Sequence, residues 1–194
     1  MEKVDIRVGI PEMWRDQAGA IFYEAFRRML EPLVGVPART QPLIAAGFEL
    51  ERMLGAVNEG RLVGLAGLHY GGRSFSTFPR QVWVRALGPV RGLWASFVLN
   101  QLHEPCPPDH LRIEALAVDA ACRGLGAGSA LLEASFDFAR RQGFSAVRLE
   151  VVDTNINARR LYVRMGFEPV AVHRYPFIGD WLGFSGEEVM VKKL

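Results

Sequence analysis

Arg123 to Gly128 spell RGLGAG, a guanidinium and three glycines at the head of a segment whose apolar residues recur at helical spacing. A helix N-terminus presents unpaired amide hydrogens and the positive end of a dipole, and glycines let an anion come close to the backbone. Arg123 can reach a phosphate oxygen, and Ser129 adds a hydroxyl in the first turn. The chemistry suggested is phosphate binding; the plainer alternative is a turn that lets a strand and a helix pack tightly. Two familiar phosphate loops are excluded. The dinucleotide pattern G-x-G-x-x-G fails, because its third glycine falls on Ser129 or Leu131. The Walker pattern fails as well, since the chain has no Gly-Lys pair.

A second cluster able to do chemistry is HEPCPPDH, with His103, Cys106 and His110. A structural metal wants four rigidly held ligands, and no second ligand pair of suitable spacing occurs. The segment is read as a proline-stiffened loop carrying a reduced thiol, and no metal is expected. Two cysteines, Cys106 and Cys122, are too few for a disulfide framework.

The elements that must position the glycine loop are legible from periodicity. VDIRVGI alternates as a first strand should, and Pro11 to Leu30 place apolar residues at helical spacing. EPLVGVPARTQP interrupts this helix, and a second one is expected from Leu43 to about Arg52. MLGAVNEGRLVGLAGLHY reads as a hairpin turning at Asn58 to Gly60. Gly71 to Pro79 is a loop, and QVWVRALGPVRGLWASFVLNQL is mostly helix, with Pro89 in a first turn. Leu111 to Val118 is a strand, followed by the loop and a helix from about Gly126 to Gln142. AVRLEVV is the next strand, NINARRLYVRMG a short helix, and FEPVAVHRY and EEVMVKKL two late strands. The order implies a mixed sheet with helices on its faces, α/β or α+β by class.

With 194 residues, 49% hydrophobic and 23% charged, the chain suits a single globular domain over 1–194, with an insertion at about 71–110. A net charge of +2 makes no case for nucleic-acid binding. No apolar run approaches the roughly 18 residues of a membrane span, and the start lacks a signal-peptide block. A cytoplasmic protein without a membrane or nucleic-acid partner is expected.

Arg123, Gly126 and Gly128 also spell R-x-x-G-x-G directly after a strand ending LAV. NINARRLYVRMGF supplies N-x-x-A-x-x-L-Y-x-x-x-G-F through Asn155, Ala158, Leu161, Tyr162, Gly166 and Phe167. In these two motifs, over roughly Leu111 to Val170, the chain resembles the GNAT superfamily of N-acetyltransferases. The resemblance implies a mainly antiparallel twisted sheet, helices on both faces and splayed central strands. It also implies acetyl-coenzyme A as cosubstrate and a small-molecule or peptide amine as acceptor, with direct transfer and no covalent enzyme intermediate. The alternatives are a non-catalytic acyl-coenzyme A sensor or interaction domain, and an acyltransferase using a longer acyl donor.

Residue by residue, the resemblance puts the pantetheine and thioester beside the backbone of Leu116, Ala117 and Val118. The pyrophosphate would lie on the amides of Arg123, Gly124, Leu125, Gly126, Ala127, Gly128 and Ser129, with Asn155 fixing the cofactor arm. Acyl transfer to an amine needs a proton acceptor, and Glu150 and Glu114 are both placed for it, the choice left open. Tyr162 stands at the tyrosine position that protonates the departing sulfur. The acceptor walls are expected from 31–42, 71–110 and the late segment 173–186 with His173, Arg174 and Asp180. The late exposed strands are compatible with a homodimer.

Overall fold

A computed structural model describes residues 4–35, 37–78, 80–101, 106–175 and 183–194. After strand β1 (Asp5–Val8), a 3-10 turn leads into helix α1 (Arg15–Val34) and then α2 (Pro37–Ala46). The hairpin β2 (Met53–Asn58) and β3 (Arg61–His69) follows, then the helix pair α3 (Arg80–Leu87) and α4 (Pro89–Gln101). The second half runs β4 (His110–Val118), α5 (Ala127–Gln142), β5 (Ala146–Val152), α6 (Ile156–Arg164), β6 (Glu168–Arg174) and β7 (Gly186–Lys193).

The strands form one sheet in the order β1-β2-β3-β4-β5-β7-β6, antiparallel at every border except β4 with β5. Strand alternation sends one set of side chains to each face, and both faces are covered. On the first, α1 to α4 bury Ala18, Tyr23, Ile44, Trp83 and Ala95 against Met53, Leu65, Ala115 and Ala117. On the second, Leu131, Phe136 and Ala139 of α5 and Tyr162 of α6 meet Leu54, Ile113 and Leu149. The helix pair α3 and α4 thus packs on the sheet through Trp83 and Ala95, while Val90, Leu93 and Trp94 of α4 stay exposed.

Two helix boundaries differ from expectation. α1 continues through Pro32 to Val34, although a proline inside a helix costs about 3 kcal/mol. Tertiary contacts hold this last turn: Val34 is buried, Tyr23 donates to the Gly35 carbonyl at 2.9 Å, and Arg91 donates to that of Pro32 at 3.2 Å. α2 starts at Pro37, whose fixed φ suits a first turn, and ends at Ala46 before Gly47. The helix expected over Leu43 to Arg52 is therefore only the end of α2, followed by a separate 3-10 turn at Leu50–Arg52.

The feature that positions the site is a fork. β4 and β5 pair from His110 with Ala146 to Ile113 with Leu149 and then part, although β4 runs on to Val118 and β5 to Val152. On its other side β4 stays paired to β3, with one irregularity. Its partner changes from Ala115 at Gly67 to Ile113 at Leu68, so Glu114 is a bulged residue. At the far border β6 is exposed, with Val170 and Val172 open to solvent and its register to β7 shifting between Pro169 and Ala171.

Candidate active site at the sheet fork

The glycine loop lies beyond the open end of the fork, between β4 and α5. Asp119 turns the chain by accepting from the Ala121 amide at 3.0 Å and pairs with Arg61 at 3.1 Å. Gly124 and Gly126 have φ of 81° and 86°, and a side chain at either would project into open space. Gly126 is the N-cap of α5 and provides no side-chain cap. The first helical bond at this end runs from the Ala130 amide to Gly126, so the amides of Ala127, Gly128 and Ser129 lack intrahelical partners. Arg123, Gly124 and Leu125 are exposed beside them, and Gly128 lies against Leu161 of α6. These residues fit an anionic pyrophosphate, because the donors are backbone groups and nothing crowds them.

Both strands of the fork carry an Arg-x-Glu triplet, Arg112-Ile113-Glu114 in β4 and Arg148-Leu149-Glu150 in β5. The two arginines are register partners, and with Ile113 and Leu149 packed toward α5, the arginine and glutamate of each triplet face the α1 to α4 side. Glu150 takes both: Arg112 Nε donates to one oxygen at 2.9 Å and Arg148 Nε to the other at 2.9 Å. Arg112 and Glu150 are almost fully buried. Glu114 is turned toward β3 by the bulge. His69 Nδ1 lies 2.8 Å from Oε1, and Ser74 Oγ donates to Oε2. The structure thus separates two carboxylates that the sequence left equivalent, one clamped by guanidiniums and the other held by a hydroxyl and an imidazole.

A third carboxylate on the same face, Glu187 of β7, lies outside both motifs. It stands opposite Val152 on one side and His173 on the other, diagonal to Glu150. Tyr175 Oη donates to it at 2.7 Å. Glu187 is 8% exposed and forms no ion pair among the described residues. Burial raises its proton affinity above the usual carboxylate range; the Tyr175 hydroxyl opposes this, the charge of Glu150 adds to it, and Arg112 and His173 oppose it. Gly186 makes the close approach possible, since a Cβ there would lie 2.5 Å from the His173 carbonyl oxygen. The available sequence signal was a charged residue at an inward phase of an alternating strand, shared by Arg112, Glu114, Arg148, Glu150 and Glu187.

Tyr162 is on the opposite face of the sheet, in the α5 cluster, with its ring 5.9 Å from that of Phe167. Burial pushes its phenol up to about 12, so it stays protonated and able to donate. Leu116 and Val118 pack toward this face and Ala117 toward the other, all three on the length of β4 that has left β5. Asn155 caps α6, its side chain accepting from the Ala158 amide at 3.2 Å. Of the expected acceptor walls, His173 stands beside Glu187, while 176–182, with Asp180, lie outside the described residues. His103 lies outside them too. Cys106 meets the His110 carbonyl at 3.8 Å, its thiol pushed up by burial.

Groups on opposite faces of a sheet can address one atom only where neighbouring strands part. The fork provides that opening, with carboxylates on one face, a phenol on the other and unpartnered amides at its mouth.

A family model described as the acetyltransferase (GNAT) family matches residues 20–167. A mycothiol acetyltransferase from Beutenbergia cavernae is 44% identical over 61 residues, 31% of this chain but only 20% of that protein. Two solved structures share the fold. An N-acetyltransferase from Staphylococcus aureus superposes with a TM-score of 0.70 at 16% identity, covering 97% of this chain and 100% of that one. An acetyltransferase from Bacillus subtilis, in complex with CoA, gives 0.60 at 15% identity and 99% coverage of both.

Proposed function

The chain belongs to the GNAT acetyltransferase family and is an acyltransferase, and from that premise we propose that it moves an acetyl group from acetyl-coenzyme A to a primary amine of a small molecule or peptide. The observation that carries this reading is the fork with the uncapped N-terminus of α5 at its open end.

The donor brings the acyl carbon and a thiolate leaving group. The backbone of Leu116, Ala117 and Val118 borders its arm, the amides from Arg123 to Ser129 hold its pyrophosphate, and Asn155 steadies it. In the transfer the amine nitrogen bonds to the acyl carbon as the carbon–sulfur bond breaks. Glu114 takes the proton that the nitrogen sheds, and Tyr162 donates to the departing sulfur from the opposite face. Glu114 is favoured over Glu150 because both Glu150 oxygens already accept from arginine. Glu150 instead fastens β4 to β5 at the crotch of the fork.

Titration with acetyl-coenzyme A and coenzyme A, read as thermal stabilisation, tests the donor assignment, and thiol release over a panel of amines and peptides tests the transfer. Stabilisation by both ligands and amine-dependent release are expected. No stabilisation by either ligand overturns the reading. For Tyr162→Phe, turnover falls with donor binding kept; unchanged turnover removes the residue's role as acid.

A further inference from the structure

The one buried carboxylate on the α1 to α4 face that faces neither a guanidinium nor an imidazole at bonding distance among the described residues is Glu187. Resting on the acetyltransferase reading, we propose that Glu187, held by Tyr175, is the acceptor subsite, where the ammonium group of a primary amine binds beside the fork.

Charge leads to this assignment. Among the described residues, the guanidiniums close to Glu114, Glu150 and Glu187 on this face are those of Arg112 and Arg148, and both donate to Glu150. A buried carboxylate is retained when something pairs with it; among the described residues Glu187 makes no ion pair, and an incoming ammonium would supply one. Position agrees. Val152, directly opposite Glu187, packs in the same cluster as Ala117, which belongs to the length of β4 assigned to the thioester. Tyr175 and Phe184 belong to that cluster and stack edge to face at 5.9 Å. The subsite therefore joins one carboxylate to an aromatic wall, which fits an amine borne on an apolar or aromatic stem. Proton balance agrees as well. An ammonium must lose one proton before it can attack and a second as the amide forms. Glu187, whose proton affinity is raised by burial, suits the first transfer, and Glu114 takes the second.

The test compares Glu187→Gln with the wild-type chain. Glutamine keeps the volume and still accepts from Tyr175. The acceptors are butylamine, hexylamine, 2-phenylethylamine and short peptides with free amino termini, and 2-phenylethanol serves as an uncharged competitor. The expected result is a rise of about thirtyfold in acceptor KM, with acetyl-coenzyme A KM changed less than about twofold. The wild-type preference for binding 2-phenylethylamine over 2-phenylethanol should disappear in the variant, which a merely structural role would not produce. Tyr175→Phe, which leaves the charge in place, should raise acceptor KM only about threefold. An unchanged acceptor KM in Glu187→Gln overturns the subsite. So does a failure to turn over any amine while coenzyme A still stabilises the chain. If coenzyme A does not stabilise it, the acetyltransferase reading beneath fails instead.

Discussion

The triplets Arg112-Ile113-Glu114 and Arg148-Leu149-Glu150 have the same pattern, lie in neighbouring strands and start from register partners, yet their glutamates end in different surroundings. In β5 the glutamate stays in phase and gathers both arginines. In β4 the bulge falls on the glutamate itself and delivers it to His69 and Ser74. A single extra residue leaves one of two like carboxylates clamped between guanidiniums and gives the other a hydroxyl and an imidazole as partners. Side-chain type sets what a residue can do, and backbone phase decides which copy does it.

The largest effect expected from breaking this difference is on turnover. Glu114→Gln should lower kcat by about 10²-fold or more, while Glu150→Gln lowers it less and costs more stability; parallel kinetics and denaturant melts of the two variants check the ordering. Next is Arg112→Met, which leaves Glu150 with one of its two buried donors and should destabilise the fold by about 3 kcal/mol. The double change Arg112→Met with Glu150→Leu should recover much of that loss, and an equally unstable double variant would show that the pair is not what fastens the strands. Ser74→Ala should then reduce kcat severalfold with donor KM unchanged, because it loosens Glu114 without removing it.

The smallest effect has a definite sign. Glu187 binds its proton more tightly folded than unfolded, so its contribution to stability is fully present below the ordinary carboxylate value of 4.5 and is lost as pH rises through the higher folded value. Glu187→Gln should therefore be more stable than the wild-type chain at neutral pH, the gap closing toward pH 4. Melting curves across that range measure it, and a gap that widens on acidification would refute the assignment.

The residues proposed to hold the donor stand out in the sequence because they are contiguous. A helix N-terminus, glycines and a basic residue carry their meaning in one short string, and Asn155 to Phe167 form another. The strands and α5 were legible for the same reason, each being a local periodicity. The proposed acceptor side draws on β3, β4, β5, β7 and the chain after β6, so its residues meet only through register, and no spacing along the chain records that Glu187 lies diagonal to Glu150. The bulge at Glu114 was silent too, because alternation in LRIEALAV looks continuous. The end of α1 departs from local propensity because Tyr23 and Arg91 hold the carbonyls of Gly35 and Pro32.

The outermost strand has a consequence of its own. β6 leaves a free edge with two valines open to water, the kind of border along which chains polymerise into extended sheets. Pro169 removes one donor from that border, and the slip of register after it throws any added strand out of step within two residues. An incoming chain would find a row of hydrogen bonds it cannot complete. The edge of β6 is thus interrupted at the point where a further strand would have to pair.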